Sequence, residues 1–209
     1  MRAHAIIRYG NEQELNHYHE ELAILPALLW RGTDKYSYQA IRDKLDALMT
    51  TMDIGGHAGY LAASLKTERD FFGPAVELMT HILQNPSFKE SEFRVVKQRE
   101  IDDYEEVKSD PQRLGFQELE RLKNPWPKDH FFYVPTFDER IAAVKALSND
   151  SVRHSYNTLF SCENLCAAVM GDADSTVVDT MASLFNRTNP LSYERVKKPF
   201  IKNVVADKV

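Results

Sequence analysis

The sequence has few cysteines and no long apolar segment. Its two cysteines, Cys162 and Cys166, lie four residues apart, whereas a zinc ribbon needs two such pairs. We therefore expect two free thiols, with a disulfide between them left open as the alternative. The longest apolar runs are much shorter than the roughly 18 residues that a membrane span requires, so no span is expected. Residues 2–8 lack the apolar core of a signal peptide.

Several motifs of catalysis and nucleotide binding are also missing. The sequence has no G-x-x-x-x-G-K phosphate loop, no G-x-G-x-x-G dinucleotide motif and no G-x-S-x-G nucleophile elbow. Lysine and arginine number 26 against 31 aspartates and glutamates, so the formal net charge is -5. This acidic balance argues against a nucleic-acid partner that is recognised through overall charge.

The residues that are present have the composition of a globular protein, with 43% hydrophobic and 27% charged residues in 209. We expect one domain over residues 1–186, followed by a linker over 187–209 that contains lysines and prolines. Runs of helices, rather than strict alternation of strand and helix, argue against a doubly wound fold. The predicted fold class is α+β: a two-layer domain with a mostly antiparallel sheet and helices packed on one face.

Apolar spacing and breaking residues predict the individual elements. A helical pattern over 12–30 contains Pro26, which should kink or end the helix. A second helix begins at the N-cap Ser37, runs through Met52 and is broken at Gly55-Gly56. Further strands are predicted at 4–9, at 57–66 (half-buried) and at 165–170 (buried), and further helices at 69–83, 90–108, 111–122, 138–147, 151–160 and 176–185.

Two groups of polar residues are candidates for chemistry. On a helix, His17 would face Glu20 and Glu21, three and four residues further on, which is a weak metal signal and is typical of a solvated helix face. Asp102 and Asp103 begin an acidic cluster on a long, charged helix. Nothing in the sequence holds these carboxylates in different environments, as an acid–base pair requires, so a solvated face is again the simpler interpretation.

Six short segments give the sequence a family resemblance through their order and spacing. They are residues 28–33, 41–48, 85–88, 110–111, 133–136 and 169–174. On these segments the chain resembles the insulinase/pitrilysin-type (inverzincin) metallopeptidases, from about Ala3 to Phe200. The resemblance implies an α/β domain that occurs in pairs or fours, with two halves that close around an unfolded peptide. In the family, an H-x-x-E-H motif on the first domain binds zinc, and its glutamate polarises the zinc-bound water.

The resemblance also indicates where this chain departs from the family. The motif precedes a Gly-Thr pair like Gly32-Thr33, and this register puts the two histidine positions at Ala23 and Ala27 and the glutamate position at Pro26. A methyl group cannot bind zinc, and proline cannot act as a base. The third ligand position falls near Asp102 or Asp103, and one carboxylate does not hold a catalytic zinc.

The resemblance therefore implies a non-catalytic domain of a zinc-dependent metalloendopeptidase, forming part of the peptide-enclosing chamber and supporting the catalytic half. No catalytic or metal-binding residue and no activity are expected in this chain alone; zinc would belong to the catalytic domain of the parent protein. Asp102 and Asp103 are candidate chamber surface. The implied partners are other domains or subunits of the same peptidase and a peptide or unfolded polypeptide.

Besides a binding module unrelated to proteolysis, two alternatives to this function stay open. One is a stand-alone structural or assembly subunit of the same fold without proteolysis. The other is a metal enzyme with a shifted site, built from His17 with Glu20 or Glu21 and the acidic helix. The compartment is not determined, because we expect the chain to be a fragment of a larger protein.

Overall fold

The structure, a computed structural model, describes residues 1–173, 175–185 and 193–197. Its four strands are β1 (Arg2–Arg8), β2 (Thr51–His57), β3 (Tyr60–Lys66) and β4 (Leu165–Met170). The helices up to the middle of the chain are α1 (Glu12–His17), α2 (His19–Leu29), α3 (Tyr38–Ala47) and α4 (Phe72–Gln84), with a 3-10 turn (Arg69–Phe71) before α4. They are followed by α5 (Glu90–Lys108), α6 (Pro111–Lys123), α7 (Phe137–Ala146), α8 (Asn149–Leu159) and α9 (Ser175–Leu184).

The strands form one antiparallel sheet in the order β2-β3-β1-β4. The β2–β3 hairpin turns at Ala58-Gly59, since His57 pairs with Tyr60, and Gly59 takes the positive φ that such a tight turn requires. Successive side chains along a strand point to opposite faces, and on β1 the buried residues are Ala3, Ala5 and Ile7. The helices cover this buried face, which confirms the predicted α+β two-layer class.

Local signals explain where several helices begin. Asn11, Thr136 and Ser148 each accept a hydrogen bond from the third residue of the following helix, which returns one to the cap, so the three form capping boxes. Ser37 caps α3 as predicted. Asp110 caps α6, whose first residue is a proline, a position where the missing N–H costs nothing.

The structure corrects three predictions about individual elements. The helical segment predicted over 12–30 is interrupted at Tyr18. Of the two outcomes predicted for Pro26, a kink or an end, the end does not occur, because α2 continues through the proline to Leu29. The second helix was predicted to run through Met52 and to break at Gly55-Gly56. In the structure α3 ends at Ala47, and β2 begins at Thr51 and contains both glycines. Gly56 suits this strand because its backbone lies so close to β3 that an added Cβ would clash with the carbonyl oxygen of Tyr60.

The third correction concerns β4, which was expected to be buried. It lies at the other edge of the sheet, and Cys166, Ala167, Ala168 and Met170 are exposed. The prediction of a buried strand rested on the apolar composition of this segment. An apolar composition does not distinguish a central strand from an edge strand that the helices leave exposed.

The linker predicted over 187–209 falls largely outside the described residues, and the domain boundary stays a prediction. Within the described piece 193–197, the backbone N–H of Glu194 donates to the carbonyl of Gly10, and Val196 packs against the core. Among the helices of the described residues, none is long and apolar enough to cross a membrane.

Candidate functional site

The exposed side of α2 carries the positions that the family resemblance singles out. Ala23 and Ala27 are exposed and lie one turn apart, so they occupy one face of the helix. Pro26 is buried. None of the three side chains offers a donor atom to a metal, so the residues present do not fit a zinc ion. Their correspondence to the family's motif stays a prediction.

A cleft of about 710 Å³ opens beside this face, between the end of α2, α3, β2 and α5. We call it the interhelical cleft; its walls include Ala27, Arg31, Tyr38, Arg42, Arg99 and Asp103. The cleft brings together Ala27 and Asp103, which the sequence alone could connect only through the resemblance. Asp102, by contrast, is not among the residues of its walls, and its carboxylate accepts a hydrogen bond of 2.8 Å from the amide of Gln98.

Neither Asp102 nor Asp103 is held in a buried environment. Both Asp102 and Asp103 are exposed. Asp103 lies 3.9 Å from the guanidinium of Arg99, one helical turn earlier, and such exposed pairs contribute little to stability. The prediction of a solvated helix face therefore fits the geometry of both residues.

Arginines surround a tyrosine on one wall of the interhelical cleft. Arg31 forms an ion pair of 2.7 Å with Glu92 and lies over the ring of Tyr38, with its guanidinium carbon 4.3 Å from the ring centre. Arg42 donates a hydrogen bond of 3.3 Å to the Tyr38 hydroxyl. This hydrogen bond, with the positive charges of Arg42, Arg31 and Arg99, holds the pKa of Tyr38 below its usual value. The sequence reasoning missed this cluster, because its members come from the turn after α2, from α3 and from α5.

The edge strand β2 forms the floor of the same cleft through Thr51, Met52 and Asp53. Among the described residues, β2 pairs only with β3, so its outer edge presents unpaired backbone groups. An extended peptide can add to such an edge through main-chain hydrogen bonds. The alternation of polar and apolar residues from Thr51 to Ile54 could have identified this strand in the sequence.

The shifted metal site does not form as proposed. His17, Glu20 and Glu21 line a separate small pocket of about 180 Å³, together with His130 and Tyr133 of the loop before α7. The acidic residues of α5 are not part of this pocket. Within the residues that the structure describes, no group of three or more histidine, cysteine, aspartate or glutamate side chains is placed to hold a metal ion.

The cysteines are both free thiols in the structure. Cys162 is buried and Cys166 is exposed on β4. This arrangement corresponds to the expected pair of free thiols and not to the disulfide alternative.

Comparison with known proteins finds likeness in structure alone. No protein-family model matches the sequence, and no curated protein matches it. Among solved structures, a peptidase M16 inactive domain from Pseudomonas fluorescens aligns with a TM-score of 0.74 at 15% identity, covering 95% of this chain and 48% of that one. A protease from Helicobacter pylori aligns at 0.71 and 12% identity, covering 96% of this chain and 48% of its own. The periplasmic protease PqqL from Escherichia coli aligns at 0.75 and 12% identity, covering 97% of this chain and 23% of its own.

These likenesses establish the fold: the chain has the architecture of a domain found in peptidases. It spans about half the length of the first two chains and about a quarter of the third.

Proposed function

We propose that this chain is a non-catalytic domain of a zinc-dependent metalloendopeptidase, in which it forms part of the wall that encloses a peptide substrate. One observation carries the proposal: the predicted ligand positions Ala27 and Asp103, 76 residues apart in the sequence, line the same cleft in a fold shared with peptidases. Zinc and the catalytic water would then belong to another domain, because the described residues offer no set of ligands.

The edge of β2 gives the proposed wall a means of holding substrate. Its unpaired backbone groups would bind an extended peptide whatever its sequence, while the cleft beside it would select side chains. Asp103 on the cleft, and Asp102 next to it in the sequence but outside the cleft, would add negative charge to this part of the chamber and favour basic peptide segments. Reversing both charges in the parent protein should weaken its preference for basic peptides, and an unchanged preference would exclude these two residues from the wall.

Rebuilding the lost site tests the assignment directly. We would combine Ala23→His, Pro26→Glu, Ala27→His and Asp103→Glu, and measure zinc stoichiometry and affinity after dialysis. Restoring two histidines one turn apart and a carboxylate on the facing helix should produce about one bound zinc per chain.

The matched control places an equivalent histidine pair elsewhere, with Arg94→His and Gln98→His on the exposed side of α5. The rebuilt site should bind zinc at least about tenfold more tightly than this pair, because it adds a third ligand. Equal affinity in the two variants would show that Ala23 and Ala27 do not occupy ligand positions, and their correspondence to the family's zinc motif would fail.

A further inference from the structure

The face of the sheet that the helices leave open has a definite pattern of charge. On β1 its residues are Arg2, His4, Ile6 and Arg8, and all except Ile6 are exposed. The strand register places Lys66 beside Arg2 at one end of the sheet. Within the described part of the chain, the side chains of Arg2, Arg8 and Lys66 have neither an ion pair nor a hydrogen-bond partner.

The middle of this face is small and apolar. Ile6 lies between Ala62 on β3 and Cys166 on β4, and the next residue along β4 on this face is Ala168. Because these side chains are short, a partner can approach the sheet closely there, and the long arginine side chains at both ends of β1 can reach over it. The only carboxylate on the open face is that of Asp53 on β2, among the residues described.

The distribution is unusual for a chain of net charge -5. Three unpaired cations and a central apolar strip lie on one face, and among the described residues Asp53 is its only acidic residue. The phosphate backbone of a nucleic acid would match the cations, but it would offer no apolar contact to the strip between them. A protein element that has apolar residues in its middle and carboxylates at both ends matches both features.

We propose that the open face of the sheet binds an acidic amphipathic helix of a partner polypeptide. The dimensions agree: four outward positions on β1 span about 20 Å, which is the length of a helix of about 14 residues. The width of four strands is about 14 Å, enough for one helix of about 10 Å diameter. Covering the open face in this way would add a third layer to the domain. This proposal is independent of the assignment to a zinc peptidase.

A labelled synthetic helix tests the proposal on the full chain. The probe is a helical peptide of about 14 residues with a leucine stripe and glutamates near both ends, and its twin carries lysines in place of the glutamates. Fluorescence anisotropy should show binding of the acidic peptide only. The Arg2→Glu/Arg8→Glu variant should raise the dissociation constant at least about tenfold, and high salt should weaken binding to the native chain.

Two further variants sharpen the test. Arg113→Glu/Lys123→Glu reverses the same number of exposed cations on α6, which packs against α5, and should leave affinity within about twofold. Asp53→Asn should strengthen binding, since it removes the one carboxylate of the open face. The thermal midpoint of each variant shows whether it is folded.

The exposed thiol of Cys166 gives a readout that needs no substitution. Saturating acidic peptide should slow the alkylation of Cys166, which lies in the apolar strip, whereas Cys162 is buried in either case. Equal binding of the two peptides, equal binding by the Arg2/Arg8 variant, or an unchanged alkylation rate would each overturn the proposal. So would displacement of the peptide by heparin at equal charge concentration, because that would show a surface for any polyanion.

Discussion

Glu139 fixes the loop before α7, and its ionisation should be measurable as stability. Its carboxylate forms an ion pair with Lys128, accepts a hydrogen bond of 2.7 Å from the Tyr133 hydroxyl and accepts one of 2.9 Å from the backbone N–H of Thr136. These contacts, with Lys128 first, lower the pKa of Glu139 from 4.5 to about 2. Glu139→Gln removes the charge while keeping the shape of the side chain and an oxygen that can accept the Thr136 hydrogen bond.

The size of the effect follows from the pKa and the exposure. A pKa of about 2 instead of 4.5 corresponds to at most about 3.4 kcal/mol. The side chain of Glu139 is 30% exposed and that of Lys128 is 75% exposed, so water screens the interaction. We therefore expect Glu139→Gln to lower the free energy of unfolding by roughly 1–2 kcal/mol at pH 7. For a domain of this size, each kcal/mol lowers the melting temperature by about 2–4 °C.

The pH dependence gives the decisive comparison. Because folding lowers this pKa, the stabilisation is complete above about pH 4.5 and is lost as the pH falls towards 2. Urea unfolding of the native chain and of Glu139→Gln should therefore differ at pH 7 and converge at low pH. Glu118→Gln, at an exposed helix pair with Arg121, is the control and should have little effect at either pH. An equal difference at both pH values, or none at pH 7, would refute the electrostatic reasoning.

Three other predictions concern packing and reactivity. Tyr156→Phe should lower the free energy of unfolding by about 1–3 kcal/mol, because the buried hydroxyl donates a hydrogen bond of 2.7 Å to a carbonyl in the last turn of α4. Urea titration measures this loss. The control in the same titration is Tyr36→Phe, because the Tyr36 hydroxyl has no such partner in the described structure. Lys97→Met should lower the melting temperature, because the ammonium group donates two hydrogen bonds of 2.7 Å to carbonyls at the end of α7, and Lys97→Arg should restore part of the loss. Mass spectrometry after brief alkylation of the native chain should find Cys166 modified and Cys162 unmodified, with both modified in urea; rapid reaction of Cys162 without urea would contradict the packing around it.

Most helices could be predicted because their signals are local. The long helix from Glu90 to Lys108 has the predicted bounds, the cap at Ser37 lies where the sequence placed it, and α6 begins at Pro111 as predicted. The edges of the sheet could not be predicted in this way. Whether a strand lies at the centre or at an edge depends on pairing between distant segments, and no local pattern encodes it.

The candidate site was predictable only in part, for a similar reason. The resemblance connected Ala27 with Asp103 across 76 residues, and the structure places both on one cleft. The resemblance gave no indication that Arg31 and Arg42 converge on Tyr38, because this cluster depends on how the turn after α2 lies against α3. Pro26 was expected to kink or end its helix from a rule about isolated helices, and the structure excludes the second outcome, because α2 is continuous to Leu29.

The strand order also determines when the sheet can be completed during synthesis. β1 is made first and can pair with β3 as soon as the hairpin has emerged from the ribosome, but its other partner, β4, comes near the end of the described chain. At about 5–20 residues per second, the interval is on the order of ten seconds. Throughout that time a nascent chain presents one unpaired edge of β1 next to the alanines and isoleucine of the future core. We therefore expect a chain truncated before Leu165 to be captured by chaperones, whereas loss of the residues after α9 should leave the four strands able to pair.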